Sequence, residues 1–194
     1  NYMKERSIPE QVWKNLYFCD DSQKMEKLDD TYAGKYLGNV PRLIIPAISR
    51  DGSLIGVTGR AMAGDSLRYL TIRIDQDHPL VFNLDKVNMT KDVYVTEGPI
   101  DSLFLPNAIA VAGSDFTKLK SIVPTEQAVV VFDNEPRSIE IVNKMKKLIE
   151  KNYNICVWPK SLKYKDINDM VIHKKDVGEV SRLIYNNTQK GLSA

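Results

Sequence analysis

The stretch Val93-Tyr94-Val95-Thr96-Glu97-Gly98-Pro99-Ile100-Asp101 constrains the chain more than any other. Val93, Tyr94 and Val95 favour a pleated, half-buried backbone. Gly98 permits a sharp exit from it, and Pro99 suits a first helical position, where its missing N–H has no intrahelical partner to lose. The pattern predicts a strand that delivers Glu97 at its carboxyl end and a helix start that carries Asp101 about one turn later. In open α/β sheets that edge is where ligands bind.

The following sequence repeats the theme. Apolar runs at 93–96, 108–112, 128–132 and 155–158 alternate with helical patterns, which predicts an α/β unit. The clearest helix covers 137–151, with Ile141, Val142, Met145, Leu148 and Ile149 on one face, Lys144, Lys147 and Lys151 elsewhere, and Pro136 just before it. Right-handed crossovers then imply about four parallel strands whose carboxyl ends share one side. To that side the strands bring Glu97, then Gly113 and Ser114, then Asp133-Asn134-Glu135, then a loop through Lys160 and Lys165 to Asp166-Ile167-Asn168-Asp169.

Acids thus converge from separate segments. Two carboxylates about 4 Å apart repel by about 4 kcal/mol at an effective dielectric near 20, so such a cluster needs a counter-charge. Oxygen donors without histidine or cysteine suit Mg²⁺ or Mn²⁺ rather than zinc. Asp166 and Asp169, three apart at a helix start, can face one side. Singly, each acid also has an ordinary reading: Asp101 sits where a helix dipole favours a carboxylate, and Asp166 is a good N-cap. His78 and His173 read as surface residues.

Residues 1–40 are the least regular. Ser7 is placed to cap a short helix with Pro9 in its first turn, and Trp13 reads as a core anchor beside Val12 and Leu16. Residues 20–30 read as a solvated face. From Pro41 strand signals take over: 43–48 and 54–57 form a hairpin about Gly52, and 69–74 is a third strand. Arg42, Arg50, Arg60, Arg68 and Arg73 are spread through this β-rich lobe, with Gly56 and Gly59 before Arg60. The glycines would let a phosphate backbone approach, or the arginines are simply exposed polar positions of a sheet.

A formal net charge of +2 excludes binding of nucleic acid by bulk attraction alone. The two cysteines, Cys19 and Cys156, are too few for a disulfide framework or a zinc ribbon. No run approaches the roughly 20 apolar residues of a membrane span. A soluble, cytoplasmic protein is expected, and the start at Asn1 suggests a fragment.

Glu97-Gly98-x-x-Asp101, Asp133-x-Glu135 and Lys165-Asp166-x-Asn168-Asp169, in this order, resemble the Toprim domain shared by bacterial-type primases, topoisomerases and certain nucleases. The strings Pro41-Arg42-Leu43-Ile44-Ile45-Pro46, Gly59-Arg60-Ala61-Met62, Arg68-Tyr69-Leu70 and 82–87 resemble the basic subdomain that precedes Toprim in DnaG-type primases. E-G-P-I-D-S-L-F and D-N-E-P-R resemble the T-even bacteriophage branch of that family. The likeness runs from Ile8-Pro9 to about Gly191. Such domains usually carry D-x-D where this chain has Asp133-Asn134-Glu135.

The resemblance implies an N-terminal basic subdomain at 1–91, a Toprim catalytic domain at 92–175 and a helical extension at 176–194. It implies an RNA polymerase core without the zinc-binding module, hence no zinc, that makes RNA primers on single-stranded DNA from ribonucleoside triphosphates. Glu97, Asp133 and Glu135 would be catalytic; Glu97, Asp101, Asp133, Glu135, Asp166 and Asp169 would hold Mg²⁺ or Mn²⁺. Arg60, Arg68, Lys86 and Lys165 would contact nucleotide or template. A hexameric replicative helicase is the implied partner, with host-cell cytoplasm as the location if the chain is phage-encoded. A Toprim nuclease, or an adaptor that binds single-stranded DNA and a helicase without catalysis, is the alternative. The helical pattern at 177–185, with Val180, Leu183 and Ile184 apolar, would pack on the core or dock such a partner.

Overall fold

The computed structural model describes residues 2–35, 39–64, 67–111, 116–173 and 175–190. The chain divides into two compact units: one comprises Tyr2 and Ile8–Asp85, the other Met3–Ser7 and Lys86–Ala194. A single-turn helix α1 (Tyr2–Glu5) opens the chain.

In the first unit β1 (Tyr17–Cys19), β2 (Arg42–Ile48), β3 (Leu54–Ala61) and β4 (Tyr69–Arg73) form an antiparallel sheet in sequence order, followed by a two-residue strand β5 (Val81–Phe82). Gly52 turns the β2–β3 hairpin at φ +89°, a conformation that favours glycine. Met25, Val57, Leu70 and Ile72 form a buried cluster against the sheet. Each contributes roughly 1.5–3 kcal/mol through removal from water.

Several readings of this lobe are corrected. Ser7 caps nothing; it lies at φ +54°, and the short helix at Glu10–Asn15 is a 3₁₀ helix preceded by Pro9 with no side-chain cap. Trp13 is only half-buried and donates its indole N–H to the Ile8 carbonyl at 2.9 Å. Gly56 and Gly59 face packed protein rather than an open approach. A Cβ on Gly56 would stand 2.9 Å from the Leu80 side chain, and one on Gly59 would meet Met25 Sδ at 2.7 Å and Arg42 Cδ at 2.9 Å. Arg42 is fully buried and donates to the carbonyls of Gly59 and Leu67, each at 3.1 Å. Arg73 closes the following turn by donating to the carbonyls of Asp75, Gln76 and His78. Two of the five arginines therefore hold backbone, a role their spacing did not separate from surface display.

In the second unit β6 (Val93–Thr96), β7 (Ala108–Val111), β8 (Ala128–Val131) and β9 (Asn154–Cys156) are joined by parallel pairings β6–β7, β6–β8 and β8–β9. β10 (Thr188–Lys190) adds antiparallel to β9, giving the order β10-β9-β8-β6-β7. Every residue of β7, β8 and β9 is buried. That accounts for unbroken apolar runs rather than alternation, since a parallel strand is covered on both faces. The helices are α2 (Pro99–Ser102), α3 (Ile139–Glu150), α4 (Ile167–Ile172) and α5 (Val177–Asn186). Ser138 caps α3 through the Ile141 N–H, and Asp176 caps α5 through the Glu179 N–H. Val180 and Ile184 of α5 are fully buried, so this helix packs on the core. Among the described residues no helix is long and apolar enough to cross a membrane.

A candidate acidic site at the carboxyl edge of the sheet

β6 ends at Thr96, whose hydroxyl donates to the Gly98 carbonyl at 3.0 Å, and Glu97 emerges at that point. Gly98 has φ −90° and ψ 132°, extended backbone open to any residue, so conformation does not demand glycine here. Space does: a Cβ at Gly98 would lie 2.7 Å from Asp101 Oδ2. Pro99 occupies the first helical position of α2, as its chemistry suggests, and Asp101 follows in that turn.

Beyond β8, Asn134 fastens the edge to the loop after β9. Its backbone N–H donates to the Lys165 carbonyl at 2.6 Å, and its Nδ2 donates to the carbonyls of Leu162 and Tyr164 at 3.1 and 2.9 Å. Trp158 adds a bond from its indole N–H to the Phe132 carbonyl at 2.7 Å, one residue before Asp133. Asp166 caps α4 by accepting the Asp169 N–H at 2.7 Å.

The result is electrostatic crowding. Part of Asp101 reaches solvent, but its carboxyl is deeply enclosed, and burial followed by the charges of Asp166 and Asp133 pushes it up to about 7. Burial, then Asp166, Glu97 and Glu135, with Lys165 opposing, push the Asp133 carboxyl up to about 6. Glu97, Asp101, Asp133, Glu135 and Asp166 therefore act on one another, although they come from three chain segments.

Two of the five hold cations. Lys144 Nζ of α3 lies 3.3 Å from Glu97 Oε1 and 2.7 Å from Glu140 Oε1. Lys165 Nζ lies 2.8 Å from Glu135 Oε1, a pair that raises the lysine pKa despite some desolvation. Asp101, Asp133 and Asp166 form no ion pair with lysine or arginine among the described residues. Asp169 turns elsewhere: its Oδ2 accepts the Lys165 backbone N–H at 3.1 Å and its Oδ1 lies 3.2 Å from His173 Nδ1. His78 pairs with Asp75 at 2.7 Å.

Among the described residues no three carboxylate, imidazole or thiol groups stand in position to hold one ion. The donor chemistry nevertheless suits a hard divalent cation, since all the crowded groups offer oxygen and two are pushed toward protonation by burial and by neighbouring carboxylates. For Glu97 and Glu135, ligation means leaving Lys144 and Lys165.

In the first unit Arg68 is exposed, while Arg60 stacks its guanidinium 4.7 Å above the Tyr69 ring and bonds the Tyr2 hydroxyl at 3.3 Å. Lys86 is an exposed turn residue. Gly113 and Ser114 lie outside the described residues. The sequence pattern missed Lys144, which helical periodicity assigns to the polar face. It singles out Asn168 only as part of a motif, without the bond that its backbone N–H donates to Asp101 Oδ1 at 2.9 Å.

Solved structures share this architecture. A DNA primase domain from Pseudomonas aeruginosa superposes with a TM-score of 0.71 at 16% identity, over 98% of this chain and 71% of that one. A DnaG primase catalytic domain bound to single-stranded DNA gives 0.69 at 13% identity, over 99% and 74%. The chain is a mixed α/β protein with the fold of DnaG primase catalytic cores.

Sequence carries the relationship further. The chain is a homologue of the DNA primase of Enterobacteria phage T4, 34% identical over 198 aligned positions that take in all of this chain and 57% of that primase. It thus spans little more than half of that relative's length. No protein-family model matches the chain.

Proposed function

We propose that this chain is the RNA-synthesising core of a DNA primase, a Toprim unit preceded by a basic lobe. The observation that carries the reading is the coupling of Glu97, Asp101, Asp133, Glu135 and Asp166 at the carboxyl edge of a parallel sheet, in a chain homologous over its whole length to a phage primase. The reaction joins a ribonucleotide 3′-hydroxyl to the α-phosphate of an incoming ribonucleoside triphosphate and releases pyrophosphate.

Glu97, Asp101, Asp133, Glu135 and Asp166 would hold Mg²⁺ or Mn²⁺, with Asp169 supporting from the first turn of α4. Bound there, the ion supplies neutralisation of triphosphate charge and acidification of the attacking hydroxyl. The residues themselves fix where that charge sits. Glu97 and Glu135 would give up Lys144 and Lys165 for it; Lys165 would then be free to meet a triphosphate, while Lys144 would keep its pair with Glu140. Glu135 in place of the usual aspartate carries one extra methylene, which suits ligation through water. Arg60, Arg68 and Lys86 contact nucleotide or single-stranded template, where planar guanidinium groups match phosphate oxygens. A hexameric replicative helicase is the partner the family resemblance implies, in the host cytoplasm.

Incubation with single-stranded DNA, labelled ribonucleotides and Mg²⁺ tests the reading. Short RNA is expected from the wild-type chain and none from Glu97→Gln or Asp133→Asn, with circular dichroism unchanged in both. Cleaved DNA without RNA marks a nuclease, and a shifted DNA band alone marks a non-catalytic adaptor; either refutes the reading.

A further inference from the structure

We propose that Arg6 and Asn168 form a positioning pair for the Asp101 carboxylate, which makes the N-terminal turn a working part of the acidic site. The proposal rests on the reading of that site as a metal-dependent centre.

Asn168 is 4% exposed, and both ends of its side-chain amide are taken by one residue. The Arg6 guanidinium donates to Oδ1 at 3.1 Å, and Nδ2 donates to the Arg6 carbonyl at 2.8 Å. An amide held at both ends has a single orientation, because its donor and acceptor cannot be exchanged without breaking both bonds. This exchange anchors the first turn of α4, where helix geometry leaves backbone N–H groups without intrahelical partners. Those groups are shared out. The Asp169 N–H goes to the Asp166 cap, and the Asn168 N–H reaches across to Asp101 Oδ1 at 2.9 Å.

Asp101 is thereby held on two sides. One oxygen accepts the Asn168 N–H; the other occupies the space left by the missing Cβ of Gly98. Removal of the Arg6 side chain leaves a buried amide oxygen without its donor, so the turn relaxes to recover a partner and carries the 168 N–H with it. Partners that orient a metal ligand from behind typically change metal affinity by 10–100-fold when removed. The sequence alone could not show this link, since 162 positions separate the two residues.

Mn²⁺ binding to the full chain, followed by electron paramagnetic resonance, provides the test, with wild type, Arg6→Ala, Arg6→Lys, Asp101→Asn and Arg6→Ala/Asp101→Asn compared. Arg6→Ala is expected to weaken Mn²⁺ binding about tenfold, Arg6→Lys less, and the double variant no more than Asp101→Asn alone. Amide hydrogen exchange at Asn168 should accelerate in Arg6→Ala while that of Met170, bonded to the Asp166 carbonyl, stays slow. Unchanged Mn²⁺ binding in Arg6→Ala overturns the positioning role and leaves the metal reading intact. An Arg6→Ala loss that adds in full to Asp101→Asn, or fast exchange at both amides, marks general loosening and overturns it as well. A wild-type chain that binds no Mn²⁺ overturns the metal reading and this proposal with it.

Discussion

Replacement of Asp101 by asparagine is expected to stabilise the protein at pH 8 in the absence of divalent metal. The carboxyl moves from an ordinary value of 3.8 to about 7, first through burial and then through the charges of Asp166 and Asp133. At about 1.4 kcal/mol per pKa unit this corresponds to an upper limit of about 4 kcal/mol. Because the folded-state value is raised, folding favours the protonated form. The associated stability is complete below the unfolded-state value of 3.8, falls as pH rises from there to about 7, and is absent above 7. Asparagine keeps an oxygen for the Asn168 N–H and carries no charge to desolvate. Solvent access to part of Asp101 reduces the gain, so about 1–3 kcal/mol is expected at pH 8, or about 3–10 °C in melting temperature for a chain of this size. The gap should close as pH falls toward 4. Thermal melts of both proteins in EDTA between pH 4 and 8 measure it. A variant no more stable than wild type at pH 8, or a gap that does not vary with pH, refutes the electrostatic account. Added Mg²⁺ should then raise the wild-type melting temperature and leave the variant's almost unchanged, because an ion that binds the folded state stabilises it.

Gly98→Ala should displace the Asp101 carboxylate, since the new Cβ would stand 2.7 Å from Oδ2; a Mn²⁺ titration should show weaker binding with little change in the far-ultraviolet dichroism. Arg42→Ala removes a buried side chain with two carbonyl partners and is expected to cost about 3 kcal/mol, read from urea midpoints. Arg68→Ala, at an exposed position, should leave stability unchanged and lower the salt dependence of single-stranded DNA binding by about one counterion, measured by fluorescence anisotropy across salt concentrations. Cys156, buried and with its thiol pushed up to about 12 by desolvation, should resist alkylation in the native protein while half-buried Cys19 reacts; mass spectrometry of the labelled chain distinguishes them.

The strands and the acids they deliver were legible because both follow from local pattern. An apolar run that ends in Glu97 or Asp133 names its own exit, and Pro99 marks the helix start. Interactions between distant segments were not legible. Lys144 reads as a solvent-facing lysine on α3 until the fold brings Glu97 to within 3.3 Å, and nothing near Arg6 in sequence points to Asn168. Glycines misled for a different reason. Sequence does not distinguish a residue needed for its backbone angles, as Gly52 is, from one needed for the volume it leaves to a neighbour, as Gly59 and Gly98 are. Arginines posed the same difficulty: Arg42 and Arg68 are chemically identical, and only packing buries one against backbone carbonyls and leaves the other exposed.

The antiparallel strand Thr188–Lys190 has a practical consequence. It shields β9, whose three residues are all buried, and presents mainly polar, exposed side chains in its place. A version shortened to end at residue 187 bares a buried strand edge with unpaired amides, a ready template for another chain to add onto. Aggregation on expression, rather than lost chemistry, would then govern what such a truncation yields.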